Sequence, residues 1–210
     1  RSGLTSLGQL RQVRTTIDGK LQTRIENLTR FHLAALAKNN VTEASVLVLD
    51  AATGQVLSWV GSSDYFARSS GQVDGVLSLR QPGSSLKPFL YELALEKGYT
   101  AASILPDLGY GIRNRNTYVP RNYDLREHGP VLLRNALACS LNLAAVNLLD
   151  DLSTASFLDR LHLLGFNSLQ QSPQHYGTGL VLGNGEVTLW ELTSAYRTLA
   201  NSGRQSSNCL

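Results

Sequence analysis

The apolar residues of this chain change their spacing early. Leu21, Ile25, Leu28 and Phe31 recur every three or four residues, one face of a helix, and Asp18 just ahead is a good N-cap. Before it, Val13-Arg14-Thr15-Thr16-Ile17 reads as a short strand, and Gly3 and Gly8 among polar residues read as linker. The spacing then shortens. Residues 45–49 (SVLVL) and 55–60 (QVLSWV) are β-rich runs joined by Asp50-Ala51-Ala52-Thr53-Gly54, which predicts a hairpin. Residues 61–80 are polar and rich in Gly and Ser, a predicted surface loop.

Beyond residue 84 the pattern is mainly helical. A helix is predicted over 85–97, stopped by Gly98, with Pro88 tolerated because it lies near the first turn. An irregular Asn/Arg-rich span covers 105–129, and Pro130 is expected to open a helix running to about Cys139. Further helices are predicted from about Leu143 to Asp150, and from a Ser153 cap to a stop at Gly165. Thr188-Leu189-Trp190-Glu191 is a capping box, predicting a last helix to about Asn201 with Gly203 beyond it. A hairpin followed by many helices, with no internal repeat, points to an α+β fold: an antiparallel sheet packed against a helical layer.

Composition narrows the class without naming a function. The chain has 210 residues, 42% hydrophobic and 17% charged, with a net charge of +3. That is enough apolar material for a real core. Its basic residues are scattered and not interleaved with aromatics, so no nucleic-acid partner is expected. No apolar run approaches the ~20 residues of a membrane helix and no signal peptide opens the chain, so any membrane anchor is expected outside it. Two cysteines, Cys139 and Cys209, define no disulfide framework; Cys139, amid Ala136, Leu137 and Ala138, reads as a buried, inert thiol.

The candidate chemistry begins at Ser84-Ser85-Leu86-Lys87, an S-x-x-K pattern. Positions three apart share a helical face, so the lysine amine can reach the serine hydroxyl, and unpaired N–H groups at the helix start favour a developing oxyanion. For Lys87 to act as base, burial in a cleft must pull its pKa well below ~10.4. With 21 serines and four lysines in the chain, the pattern alone carries little weight. Ser140-Leu141-Asn142, an S-x-N pattern, carries less, since Ser206-Ser207-Asn208 repeats it.

Longer blocks carry more. Residues 80–89, RQPGSSLKPF, resemble the nucleophile segment R-Q-P-G-S-x-x-K-P-F of class A penicillin-binding proteins. Thr15-Thr16-Ile17-Asp18 with Leu21-Gln22, the Gly-ended hairpin and Gly71-Gln72-Val73-Asp74 are similar to segments that precede it in that family. Tyr118-Val119-Pro120-Arg121-Asn122-Tyr123-Asp124 and 134–142 (RNALACSLN) are similar to Y-x-P-x-N-Y-D and R-x-A-L-x-x-S-x-N, which follow it. Glu186-Val187-Thr188, Leu192, Ala195-Tyr196 and Leu199-Ala200-Asn201 resemble the family's last helix. The blocks occur in order over residues 13–203, and the chain is identified as a member of the family. Residues 85–91, with His175-Tyr176-Gly177 and Leu182-Gly183, look most like the penicillin-binding protein 1C subgroup.

The resemblance implies a serine transpeptidase of peptidoglycan synthesis, with the fold shared by serine β-lactamases, acting on D-Ala-D-Ala stem peptides and acylated by β-lactams. It implies Ser84 as nucleophile, Lys87 as base, Ser140 as proton relay and Asn142 as a substrate-binding group, with no metal or cofactor. It also implies a place on the periplasmic face of the bacterial inner membrane and a glycosyltransferase half outside this chain. The family's third motif, K-T-G, has no counterpart; no lysine follows Lys97, and residues 175–179 (HYGTG) precede the last helix and read as a loop. The expected organisation is a linker and lead-in segment, 1–40, and a partial transpeptidase domain, 41–210, truncated before the K-T-G strand. Two other classes stay open: a non-catalytic penicillin-binding sensor module, and a carboxypeptidase or β-lactamase-like hydrolase.

Overall fold

A computed structural model of the chain describes residues 13–66, 71–109 and 120–210. It divides into two compact units, one made of the chain up to Val76 plus Tyr196–Leu210, the other of Leu77–Ala195. The predicted linker around Gly3 and Gly8, and Tyr118-Val119, lie outside the described residues.

In the first unit, helix α1 (Gly19–Leu36) starts where Asp18 predicts it, the carboxylate accepting Lys20 N–H at 2.9 Å and Leu21 N–H at 3.1 Å. Strands β1 (Val46–Leu49) and β2 (Val56–Val60) form the expected antiparallel hairpin, Val46 opposite Val60 and Leu47 opposite Trp59. Val56, Ser58 and Val60 alternate into the interior. Gln22 fixes α1 to β2: its Oε1 accepts Ser58 Oγ–H at 2.8 Å and Trp59 N–H at 2.9 Å, and its Nε2 donates to Trp59 O at 3.0 Å. Of the predicted apolar face, Leu21 and Ile25 are half-buried, while Leu28 and Phe31 are exposed.

The predicted strand at 13–17 does not form. Thr16 and Asp18 each make one bond to the edge of β2, to Val56 O at 2.7 Å and Leu57 O at 3.0 Å, and the chain then turns into α1 before a ladder develops. Cys209 makes a parallel bridge to Gln55. The hairpin loop needs glycine at position 54: φ is +76°, and a Cβ there would lie 2.7 Å from the Arg197 guanidinium.

The second unit is helical with one small sheet. Strands β3 (Ile104–Asp107) and β4 (Gly129–Leu132) pair antiparallel, Ile104 opposite Leu132. Thus the span expected to be irregular contains a strand, and Pro130 lies in a strand and does not open a helix. Pro130 sits directly opposite Pro106, a pair with no N–H to offer, which fits the non-hydrogen-bonded pairs of an antiparallel ladder. The helices are α2 (Lys87–Glu96), α3 (Leu133–Ala138), α4 (Asn142–Leu152), α5 (Thr154–Leu163) and α6 (Pro173–Tyr176). Helix α7 (Leu189–Ala200) is shared with the first unit. Its capping box is reciprocal, Glu191 N–H to Thr188 Oγ1 at 3.1 Å and Thr188 N–H to Glu191 Oε2 at 2.9 Å. Residues 175–179, expected as a loop, form the end of α6 and the start of a 3₁₀ segment, Gly177–Leu182.

Helix α2 is the unit's spine. Phe89, Leu90 and Ala94 are fully buried, and Phe89 meets Phe166 edge-on with ring centroids 5.5 Å apart. Ala144, Ala145 and Leu149 of α4 and Phe157 and Leu161 of α5 complete the core, and Arg160 of α5 ion-pairs with Glu92 and Glu96 of α2. Helix and small antiparallel sheets together make an α+β fold.

Candidate active site

The residues of interest lie where α2 begins and where α3 hands over to α4. Ser84 is exposed, in a 3₁₀ turn (Gly83–Leu86) whose last N–H bond, from Lys87 to Ser84 O, leads into α2. The predicted helix thus starts as a tighter turn, and Ser84 sits where N–H groups have no acceptor within the helix. The turn is buttressed by a close backbone approach. Gly183, at φ +82°, leaves room for Gly83, and a Cβ on Gly183 would stand 2.2 Å from Gly83 N.

Lys87 is 1% exposed, and its ammonium donates to Asn142 Oδ1 at 2.6 Å, Ser140 O at 2.6 Å and Ser140 Oγ at 3.2 Å. All three donors of the ammonium are used. Burial pushes the amine down to about 8, the charge of Asp107 opposing the shift. The lysine of S-x-x-K and both polar residues of S-x-N therefore meet, while the Ser84 hydroxyl stands outside these bonds.

The handover between α3 and α4 explains how. Ser140 N–H bonds Leu137 O at 3.0 Å and Leu141 N–H bonds Ala136 O at 2.9 Å, the paired bonds of a Schellman cap. Ser140 occupies the left-handed position of that cap, φ +52°, which glycine usually fills. This turns its carbonyl and hydroxyl toward Lys87. Leu141, extended, then starts α4 without offering a capping side chain. Asn142 holds its carboxamide between two anchors, Oδ1 on Lys87 and Nδ2 on Arg121 O at 2.8 Å. Cys139 is exposed, contrary to the buried thiol expected from its apolar neighbours, because α3 ends at Ala138 and Cys139 is already its C-cap.

Sequence reasoning missed the residues behind Asn142. Asp107 and Asn122 are buried and bond the first turn of α4. Asn122 stood inside a resemblance block but suggested no role. Asp107, in a span read as irregular, gave no signal beyond an acidic residue ending an apolar run. Gly183 belonged to the subgroup resemblance, and only the fold reveals that it touches Gly83.

Residues 44–207 match the family described as penicillin binding protein transpeptidase domain, and the chain belongs to that family. Among individual proteins it is similar to Penicillin-binding protein 1C of Escherichia coli (strain K12), 35% identical over 195 residues, covering 92% of this chain and 25% of that protein. It is also similar to Penicillin-binding protein 1A of Aquifex aeolicus (strain VF5), 38% identical over 166 residues, 78% of this chain and 22% of that one. The chain thus spans about a quarter of the length of these relatives. Among solved structures, PonA1 from Mycobacterium tuberculosis in complex with penicillin V shares the fold, with a TM-score of 0.75, 24% identity and coverage of 94% of this chain and 53% of that one. Penicillin-binding protein 1A from Haemophilus influenzae has a TM-score of 0.65 and 29% identity, covering 76% of this chain and 23% of that one.

Proposed function

We propose that this chain carries the acyl-transfer site of a peptidoglycan transpeptidase, with Ser84 as nucleophile and Lys87 as base. The observation that carries the reading is Lys87: a wholly buried amine, shifted toward neutrality, three residues after an exposed serine and bonded to both polar members of S-x-N. When the amine is neutral, its two N–H groups still serve Asn142 Oδ1 and Ser140 O, and its lone pair is left for a hydroxyl proton. Ser84 Oγ attacks the carbonyl carbon between the two terminal D-alanines, forming the C–O bond as its proton passes to Lys87. Collapse breaks the C–N bond; the proton taken up by Lys87 passes through Ser140 to the leaving nitrogen, and D-alanine departs. An amine of a neighbouring strand then attacks the acyl carbon and gives its proton to Lys87; the C–O bond breaks, and that proton returns to Ser84 Oγ. One hydrogen of Asn142 Nδ2 is left to bond the substrate backbone, and the Ser84 N–H serves as an oxyanion donor.

A β-lactam is read as entering the same path and stopping at the acyl-serine; PonA1, similar in fold, is known in complex with penicillin V. Residues 41–210 are read as part of the transpeptidase domain and 1–40 as a linker and lead-in segment. The whole protein is read, from its family, as working at the periplasmic face of the inner membrane beside a glycosyltransferase half; the much greater length of the curated relatives is compatible with such a half. Among the described residues no helix is long and apolar enough to cross a membrane. The test is covalent labelling of the complete protein by a fluorescent penicillin, with the adduct located by mass spectrometry. Labelling is expected at Ser84, abolished by Ser84→Ala and kept by Ser85→Ala; an adduct on another residue overturns the assignment.

A further inference from the structure

Asp107 closes β3 with no exposed surface, a place where a carboxylate persists only if its oxygens are satisfied. Oδ1 accepts Ala144 N–H at 3.0 Å. Oδ2 accepts Asn122 Nδ2 at 2.7 Å and the His128 backbone N–H at 3.1 Å, and meets His128 Nδ1 at 2.7 Å. Asn122, 3% exposed, presents its Oδ1 to Asn142 N–H at 2.7 Å and Leu143 N–H at 3.2 Å, and its Nδ2 also reaches Arg126 O at 2.7 Å. The first three N–H groups of α4 are therefore capped by two side chains from outside the helix. The bonds run unbroken from Lys87 through Asn142, Asn122 and Asp107 to His128, whose Nε2 meets Asp124 Oδ2 at 3.0 Å.

We propose that Asp107 is a positioning residue for acyl transfer at Ser84: with Asn122 it holds the first turn of α4 so that Asn142 meets the Lys87 amine, and it does so as a buried carboxylate and not as a neutral cap. This rests on Lys87 being the base. A helix cap alone does not call for a charge here, since Ser, Thr or Asn caps as well, and burying an ionised carboxylate costs several kcal/mol. The groups facing the charge are Lys87 and Tyr91 from α2 and His128, with Asp124 beyond it. Asp107 opposes the burial-driven fall of the Lys87 pKa and adds to the burial-driven rise of the Tyr91 pKa. Its hydrogen bond is the chief reason that His128 holds its proton above the usual range. Each effect follows from one negative charge placed at the root of the site.

The test follows acylation of Ser84 by a fluorescent penicillin against pH in the complete protein, with circular dichroism as the check on folding. Asp107→Asn is expected to lower the plateau rate by about 10²-fold, through misplacement of the first turn of α4, and to move the acid limb down by about one pH unit. Asn122→Ala is expected to lower the plateau while leaving the limb near its wild-type position, because the charge remains. His128→Ala, at the solvent-facing end, removes the ring and keeps the backbone N–H bond to Asp107, so the carboxylate stays in place and the limb is expected near its wild-type position. A limb that moves when the charge is removed, and stays when either neighbour of the carboxylate is trimmed, is not what simple structural damage produces. A folded Asp107→Asn variant with an unmoved limb overturns the inference, as does a folded Asn122→Ala variant with an undiminished plateau, which decides if Asp107→Asn does not fold. Absence of labelling in the wild type would instead overturn the function reading on which this one stands.

Discussion

Each unit of this molecule buries a cation, and the two are treated differently. Arg197, in the first unit, is 6% exposed and donates to Ala51 O at 2.9 Å, Ser206 O at 2.9 Å, Asn208 Oδ1 at 2.8 Å and Ser206 Oγ at 2.7 Å. With Ser207 O at 3.4 Å and Ala52 O at 3.5 Å, most of its acceptors are backbone carbonyls, and a guanidinium does not give up its proton, so the group works as a fixed staple between the hairpin loop and residues 206–208. Lys87, in the second unit, is buried more deeply yet bonded by a hydroxyl, a carboxamide and a single carbonyl, and its proton is loosened. A permanently charged cation among carbonyls is scaffold, whereas a deprotonatable amine among groups that can donate or accept is set up for proton transfer.

Mutation should separate the two roles. Lys87→Met is expected to slow acylation by ~10²–10⁴-fold, the usual contribution of a positioned general base, while the far-UV circular dichroism stays that of the wild type. Lys87→Arg should not rescue the rate, because it restores charge without a removable proton. Arg197→Met inverts the pattern. It leaves several buried acceptors unpaired and is expected to cost roughly 2–3 kcal/mol in chemical denaturation, with the acylation rate of the folded fraction little changed. A variant of Arg197 that kept full stability but lost acylation would break the comparison.

The same contrast should appear in the pH dependence of stability. With its folded pKa lowered from 10.5 to about 8, Lys87 binds its proton more weakly in the native than in the unfolded chain. Between those two values the unfolded chain holds more protons, so stability rises with pH through that window, and the penalty is complete below it. Lys87→Met should remove this rise, as read from denaturation midpoints on either side of the window; persistence of the full rise in the variant would assign it to another group.

How much of this was legible in the sequence depended on the distance between partners. The Asp18 cap, the hairpin and the Thr188–Glu191 box are written within a few residues, and each formed as the spacing predicts. S-x-x-K and S-x-N were visible as patterns, but the left-handed φ of Ser140 that joins them was not, because Ser is not the residue that position favours. Pro130 misled because proline is common at helix starts, and only the facing Pro106, far along the chain, makes it acceptable in a strand. Asp107 reaches Ala144 across 37 positions, and Asn122 reaches Asn142 across 20. Local spacing holds no trace of such caps.

Ser140 gives the smallest effect and the finest test of that point. Ser140→Gly relieves a serine held at φ +52° and is expected to stabilise the unit by about 0.5–1 kcal/mol, while acylation slows through loss of the hydroxyl beside Lys87. Loss of stability in that variant would mean that the hydroxyl bond outweighs the backbone strain.

The central claim is that Lys87 is the base for Ser84, and the most direct measurement is the rate of Ser84 acylation by penicillin as a function of pH. The account predicts a rate that rises through about pH 8 as the amine loses its proton and then levels. A rate that ignores pH across this range, or rises identically in Lys87→Met, would contradict it.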